Sequence, residues 1–146
     1  MKILLLGKSG QVGWELQRSL APLGELIALN SSSKELCGDL TNLSGIQTTI
    51  RKIAPDIIVN AAAYTAVDKA ESESELAYII NAEAPGILAQ EAKQLNAWLI
   101  HYSTDYVFDG TQSGFYTEDD APNPASVYGR TKWQGEQAIR NSGCRH

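Results

Sequence analysis

Short apolar blocks alternate with longer amphipathic ones along this chain. Lys2 to Leu6 is a continuous apolar run, as expected for a strand buried on both faces. It runs through a glycine-rich segment, Gly7 to Gly13, into Trp14–Leu20, whose apolar residues recur with helical period. Glu25 to Leu29 predicts a second strand, set off by the Pro22-Leu23-Gly24 turn. Glu35-Leu36-Cys37 predicts a short edge strand. Thr41 or Asn42 then caps a helix over Leu43 to Ile53, which Pro55 ends. Ile57-Ile58-Val59-Asn60 is a third buried strand, and a long helical region follows from about Asp68 to Leu95. Ala84-Pro85-Gly86 marks a kink or a second start within it. Trp98 to Ser103 is the fourth strand, Thr111 to Pro124 a polar surface loop able to cover a substrate, and Ser126 opens a last helix that stops near Ser142-Gly143. Strands alternating with helices predict an α/β fold with a doubly wound parallel sheet of Rossmann-like type.

In such sheets ligands bind beyond the carboxyl ends of the strands, so the residues there come next. Strand, glycine loop and helix is the arrangement in which backbone N–H groups at a helix N-terminus receive a pyrophosphate. Gly7 permits the turn, Gly10 lets the backbone approach phosphate, and Gly13 lets helix and strand pack closely. The spacing is G-x-x-G-x-x-G, and taken alone it is equally a plain tight turn. After the second strand, where a carboxylate usually holds the ribose of NAD, stands Asn30, followed by Ser31, Ser32, Ser33 and Lys34. Hydroxyls and an ammonium without a carboxylate suit a 2′-phosphate, which favours NADPH with NADH possible; an ordinary polar loop reads the same way. Asp39 is either a turn residue or a contact at the adenine edge. Ala61-Ala62-Ala63-Tyr64 offers small side chains against which a cofactor could lie. Thr104 places a hydroxyl where it could bond a substrate oxygen. His101 reads as a core or cross-sheet residue. Glu71, Glu73 and Glu75 read as a solvated face.

Tyr128 and Lys132 stand four residues apart in the last helix, on one face and one turn from each other. A lysine ammonium held beside a phenol stabilises the phenolate and makes the tyrosine a usable proton donor near neutral pH. An isolated pair of this kind is otherwise a surface tyrosine and a solvated lysine. Composition narrows the classes. Of 146 residues 43% are hydrophobic, enough for about one domain, and the net charge of -5 leaves no basic field for nucleic acid. No apolar run is long enough to span a bilayer, and the start is too short for a signal peptide. Cys37 and Cys144 make no disulfide framework or metal-ligand spacing, so a reduced cytoplasmic protein is expected.

Taken together, Gly7–Gly13, Asn60-Ala61-Ala62, the run Ser103 to Gly110, and Tyr128-Gly129-Arg130-Thr131-Lys132 resemble the extended short-chain dehydrogenase/reductase family. The run Val59 to Glu71 resembles, more narrowly, its dTDP-4-dehydrorhamnose reductase branch. The resemblance implies reduction of the 4-keto group of a dTDP-linked sugar. Tyr128 would then be the proton donor, Lys132 its support and a contact of the nicotinamide ribose, and Thr104 the hydroxyl that polarises the carbonyl. Asp105 and Tyr106 would lie beside the sugar. Gly7, Gly10, Gln11, Val12, Asp39, Leu40, Ala62, Ala63 and Tyr64 match cofactor-contacting positions. Of a magnesium site linked to the family only Glu15 could be present, so no metal is expected. Family members are about twice this length, so residues 1–146 would be an incomplete cofactor domain, lacking the last strands and the small substrate domain. The expectations that follow are cofactor binding without turnover of its own, an uncovered sheet face or edge, and association with another copy. A non-catalytic relative, like the regulatory beta subunit of methionine adenosyltransferase, and a nucleotide-sugar epimerase or dehydratase are the alternative readings. Dehydratases usually place an acidic pair after the Ser/Thr, whereas here Tyr106 follows Asp105.

Overall fold

The first apolar run becomes a strand paired on both edges, and the rest of the chain is laid out around it. The computed structural model describes residues 1–146. Its strands β1 (Lys2–Leu6), β2 (Glu25–Leu29), β3 (Ile57–Asn60) and β4 (Trp98–His101) are all parallel, in the order β2-β1-β3-β4. Register places Leu4 beside Ile27 and Ile58, and Ile58 beside Leu99. Alternate residues therefore supply two faces. One face, with Leu4, Leu6, Ile58 and Leu99, packs against α2 (Leu43–Ile53), α5 (Ala84–Leu95) and α6 (Val127–Ser142) through Ile46, Ile50, Leu88, Ala92 and Ile139. The other face, with Ile3, Leu5 and Val59, is covered by Leu16 and Leu20 of α1 (Gln11–Leu20). Helices on both faces of a parallel sheet make this the doubly wound class.

That second face is covered only in part. Trp98 is 50% and Ile100 45% exposed, on the same side of β4 as buried Val59 is on β3. Tyr102, two residues on, is 41% exposed. The outer edge of β4 is met at one point, where the Leu99 N–H donates to Arg145 O at 2.9 Å in a parallel bridge. No helix is long and apolar enough to cross a membrane.

Helix ends follow local chemistry. Asn42 caps α2 by accepting from Gly45 N at 2.9 Å, and Ser126 caps α6 by accepting from Gly129 N at 3.0 Å. Gly143, with φ of 68°, ends α6 in the left-handed region.

Four expectations need correction. Helix α1 starts at Gln11 rather than Trp14 and takes Gly13 inside it. Glu35–Cys37 is not a strand; the Cys37 N–H donates instead to Thr49 Oγ1 on α2, so the sheet ends at β2. The fourth strand stops at His101. The region Asp68–Leu95 is a series: α3 (Val67–Ala70), α4 (Ser74–Tyr78), a π turn over Ile79–Glu83, and then α5 with Pro85 in its first turn. Proline lacks an N–H, and the widened turn lets the chain pass through it without a break.

The π turn and α6 meet at backbone contact. A Cβ on Gly135 would overlap the carbonyl oxygen of Asn81, which cannot move without breaking the turn. Gly135→Ala is expected to lower stability by about 2 kcal/mol or more through overpacking. Gly114→Ala, which meets nothing within 4 Å, is expected to stay within about 0.5 kcal/mol of the parent. Urea denaturation of both variants measures the difference.

Candidate active site and cofactor cavity

The chain leaves β1 for β2 on one side and returns to β3 on the other, and a cavity of about 680 Å³ opens at that divergence. Gly7 makes the turn out of β1 with φ of 88°, and a Cβ there would also strike the backbone of Ala61 and Ala62. Gly13 faces the same turn, and a side chain on it would overlap Gly7 O, so α1 docks directly on the loop. Gly10 is different: a Cβ there would meet only Gly7 O, at 3.5 Å. Its open side faces the cavity, and no side chain caps the N-terminus of α1. The first N–H groups of a helix have no intrahelical acceptor. They lie at the cavity.

Gly7, Gly10, Gln11 and Val12 line it on the α1 side, Asn30, Asp39 and Leu40 on the β2 side, and Ala62 and Ala63 after β3. Ser9, Ser31, Thr65 and Ile80 add to these. Asn30 orders its loop: Oδ1 accepts from Ser32 N at 3.2 Å and Ser33 Oγ at 3.1 Å, while Nδ2 donates to Ser9 Oγ at 3.1 Å. Asp39 Oδ1 accepts from Thr41 N at 3.0 Å. Tyr64 does not line the cavity. Its hydroxyl donates to Glu73 at 2.5 Å, a bond that holds the phenol above its ordinary pKa and the carboxyl below its own. Glu73 also pairs with Lys69 at 3.2 Å, and Glu71 accepts from Val127 N at 2.8 Å. The acidic run is therefore tied into the fold at two of its three members.

Tyr128 and Lys132 sit on one face of α6, as the spacing requires, and no hydrogen bond joins their polar ends. The Tyr128 ring is half-buried and packs edge-on against Tyr106, with centroids 5.5 Å apart. Its hydroxyl makes no hydrogen bond within the chain. Lys132 is buried and turns toward the sheet, where Nζ donates to Tyr102 O at 2.5 Å and lies 3.4 Å from His101 Nε2. Burial pushes the lysine down to about 8, with Glu136 opposing. Burial, with the charge of Lys132, pushes His101 down to about 3. The lysine is held by β4, and no hydrogen bond joins it to the phenol.

Thr104 caps the turn Asp105–Val107 by accepting from Tyr106 N at 3.2 Å, and donates to Asp105 Oδ1 at 3.3 Å. It opens onto a depression shared with Tyr116, Asp120, Glu136 and Arg140, whereas Asp105 and Tyr106 line a neighbouring one with Gly110 and Ser126. The three residues straddle one turn. The loop beyond is gathered on Asp109, whose carboxylate accepts from Thr111 N, Thr111 Oγ1, Tyr116 Oη and Asn123 Nδ2 at 2.7–2.9 Å. These donors hold it well below the usual carboxylate range.

Two buried asparagines were given no role from the sequence, although Asn60 stands in the Asn60-Ala61-Ala62 motif. Asn81, in the π turn, accepts from Tyr64 N at 2.9 Å and donates to Tyr64 O at 3.0 Å and to Thr131 Oγ1 at 3.2 Å. Asn60, at the end of β3, accepts from Ala62 N and bonds His101 across the sheet at 3.1 Å. An asparagine closing the apolar run Ile57-Ile58-Val59 was the available signal, since a buried amide needs partners.

Comparison with known proteins matches the whole chain, residues 1–146, to the RmlD substrate binding domain family. A dTDP-4-dehydrorhamnose reductase of Salmonella typhimurium is 58% identical over 146 residues, which is 100% of this chain and 49% of that protein. Among solved structures, the reductase of that name from Clostridium acetobutylicum superposes with a TM-score of 0.90 at 40% identity, covering 97% of this chain and 49% of the other. The one from Bacillus anthracis, in complex with NADP, gives 0.89 at 37% identity over 99% and 50%. The chain spans about half the length of the curated relatives it matches.

The two depressed bases make stability depend on pH. Between about 3 and 6.5 the unfolded chain protonates His101 and the folded chain does not, so stability is lost as pH falls through that window. The same holds for Lys132 between about 8 and 10.5. In each window His101 or Lys132 adds a slope of up to about 1.4 kcal/mol per pH unit. Urea denaturation against pH is expected to reveal both, and His101→Gln to flatten the lower one.

Proposed function

Since this chain belongs to the RmlD substrate binding domain family, we propose that residues 1–146 are the dinucleotide-binding domain of a dTDP-4-dehydrorhamnose reductase that uses NADPH, with NADH as the possible alternative. The observation that carries the reading is the cavity at the β1/β3 divergence, with an uncapped helix N-terminus on one side and the Tyr128–Lys132 helix anchored to the neighbouring strand ends.

The residues present fit a dinucleotide. Gly10 leaves room for a phosphate beside the N–H groups of Gln11 and Val12. Gly7 and Gly13 keep that turn tight. Asn30 and the serines after it would hold the adenosine ribose or its 2′-phosphate, and Asp39 and Leu40 the adenine edge. Ala62 and Ala63 would give a backbone wall, with Tyr64 behind it, held by Asn81. Lys132 and Tyr128 would meet the nicotinamide ribose.

When bound, the reduced nicotinamide supplies the hydride for the C4 carbonyl of the keto sugar. Tyr128 Oη gives its proton to the carbonyl oxygen as general acid. Lys132 supports the phenolate that remains, and Thr104 donates a hydrogen bond to the developing alkoxide. Asp105 and Tyr106 border the sugar. The sugar nucleotide, a cytoplasmic setting and association with another copy through the exposed Trp98 and Ile100 face belong to the same reading.

Titration of the chain with NADPH is expected to quench tryptophan fluorescence saturably, Trp14 standing on α1, whose first residues Gln11 and Val12 line the cavity. Gly10→Val is expected to weaken binding at least about tenfold, because a Cβ there meets only Gly7 O at 3.5 Å and the side chain would enter the phosphate space, while stability falls by no more than about 1 kcal/mol through the poorer N-cap. A folded chain that shows no saturable quenching removes the reading. In the reductase carrying this domain, Tyr128→Phe should lower kcat by about 10²–10⁴.

A further inference from the structure

Asn60 and His101 stand side by side at the ends of β3 and β4, and Lys132 of α6 reaches down onto them. The direction of each contact follows from groups whose protons chemistry fixes. The Ala62 N–H can only donate, so the amide oxygen of Asn60 faces it at 3.2 Å. The amide nitrogen therefore faces His101 Nδ1 at 3.1 Å. An amide nitrogen donates, so Nδ1 accepts, and a neutral His101 carries its proton on Nε2. That Nε2–H meets Lys132 Nζ at 3.4 Å. An ammonium has no lone pair with which to accept it; an amine has one. The amine then donates to Tyr102 O at 2.5 Å. Every contact in the series is satisfied only when Lys132 is neutral.

From this one-way series we infer that Asn60 and His101 are positioning residues that bias Lys132 toward the amine, so that in the cofactor-free chain it exchanges its proton close to neutral pH. The inference rests on the role proposed for Lys132 beside Tyr128 and adds what sets its charge. Around Nζ, β4 presents His101 and the Tyr102 carbonyl, and α6 presents Tyr128 one turn before and Glu136 one turn after. Glu136 alone favours the ammonium, and its carboxylate is engaged by the Ser103 hydroxyl. Burial acts in the same direction as the series. A lysine that titrates near the working pH can support a phenolate and return a proton to it.

The chain has two histidines, His101 and His146, so ¹⁵N-histidine labelling gives two ring systems, assigned with His146→Asn. In the chain without cofactor, His101 is expected to carry its proton on Nε2 above the Lys132 midpoint, at about pH 9. The Lys132 ¹⁵Nζ signal, assigned by its loss in Lys132→Met, is expected to titrate at about 8 or below. Asn60→Asp keeps the size and the Ala62 bond but offers Nδ1 an acceptor. Its His101 proton should move to Nδ1, and the Lys132 midpoint should rise by about one unit or more, roughly tenfold in proton affinity. A wild-type His101 with its proton on Nδ1 at about pH 9, an imidazolium at pH 7, or a Lys132 midpoint near the ordinary 10.5 overturns the inference. The wild-type spectra decide, so a variant that fails to fold does not shelter it. Because no cofactor is added, failure of NADPH to bind would count against the preceding reading and leave this one to its own result.

Discussion

One buried amide joins the two halves of the candidate site. Asn81 is fully buried in the π turn, where water cannot satisfy it, so each of its polar atoms must find a protein partner. It finds both the N–H and the C=O of Tyr64, in the loop after β3, and the hydroxyl of Thr131 on α6. Thr131 in turn donates to Tyr128 O. The loop that walls the cavity and the helix that presents Tyr128 and Lys132 are thus fixed to the same side chain. The widened turn is what brings that side chain inward, and Gly135 is what allows α6 to lie on the turn's backbone.

The cavity is made as much by missing side chains as by those present. Gly7 and Gly13 are absences filled by backbone, each excluding a Cβ because another segment already occupies the space. Gly10 is an absence left open. Along one turn the chain spends two glycines on close packing and one on access. That division follows from the steep cost of overlap in a packed interior and from the need of a phosphate to reach backbone N–H groups.

Much of this was legible in the sequence because it depends on neighbours. Strand runs such as Ile57–Asn60 and caps such as Asn42 and Ser126 are local, and they fall within a residue or two of where periodicity and capping rules put them. The residues grouped around the cavity are likewise ends of strands and starts of helices, which the alternation of elements marks. What could not be read depends on partners far along the chain. Glu71 reads as a solvated residue until Val127 arrives 56 positions later, and Asn81 as a helix interior until Thr131 does, 50 positions on. Glu35–Cys37 has the pattern of a strand, but Cys37 is taken by Thr49 of α2. The i, i+4 spacing put Tyr128 and Lys132 on one face correctly. It carried no information about where a four-carbon stem would lead, and the carbonyl of Tyr102 decided that.

The central place of β1 bears on the order in which the molecule assembles. Its first edge is matched by β2 after one short helix, whereas its second waits for β3: the Lys2 N–H meets Asp56 across 54 residues. Closing a loop of that length costs more entropy than the first pairing, and it precedes any reward from burial. During synthesis β1 is therefore half-paired until residues 57–60 leave the ribosome. Leu4 and Leu6 present apolar surface through that interval and beyond it, until α5 and α6 follow. A nascent chain paused before α6 therefore still offers a chaperone the surface that the finished fold hides.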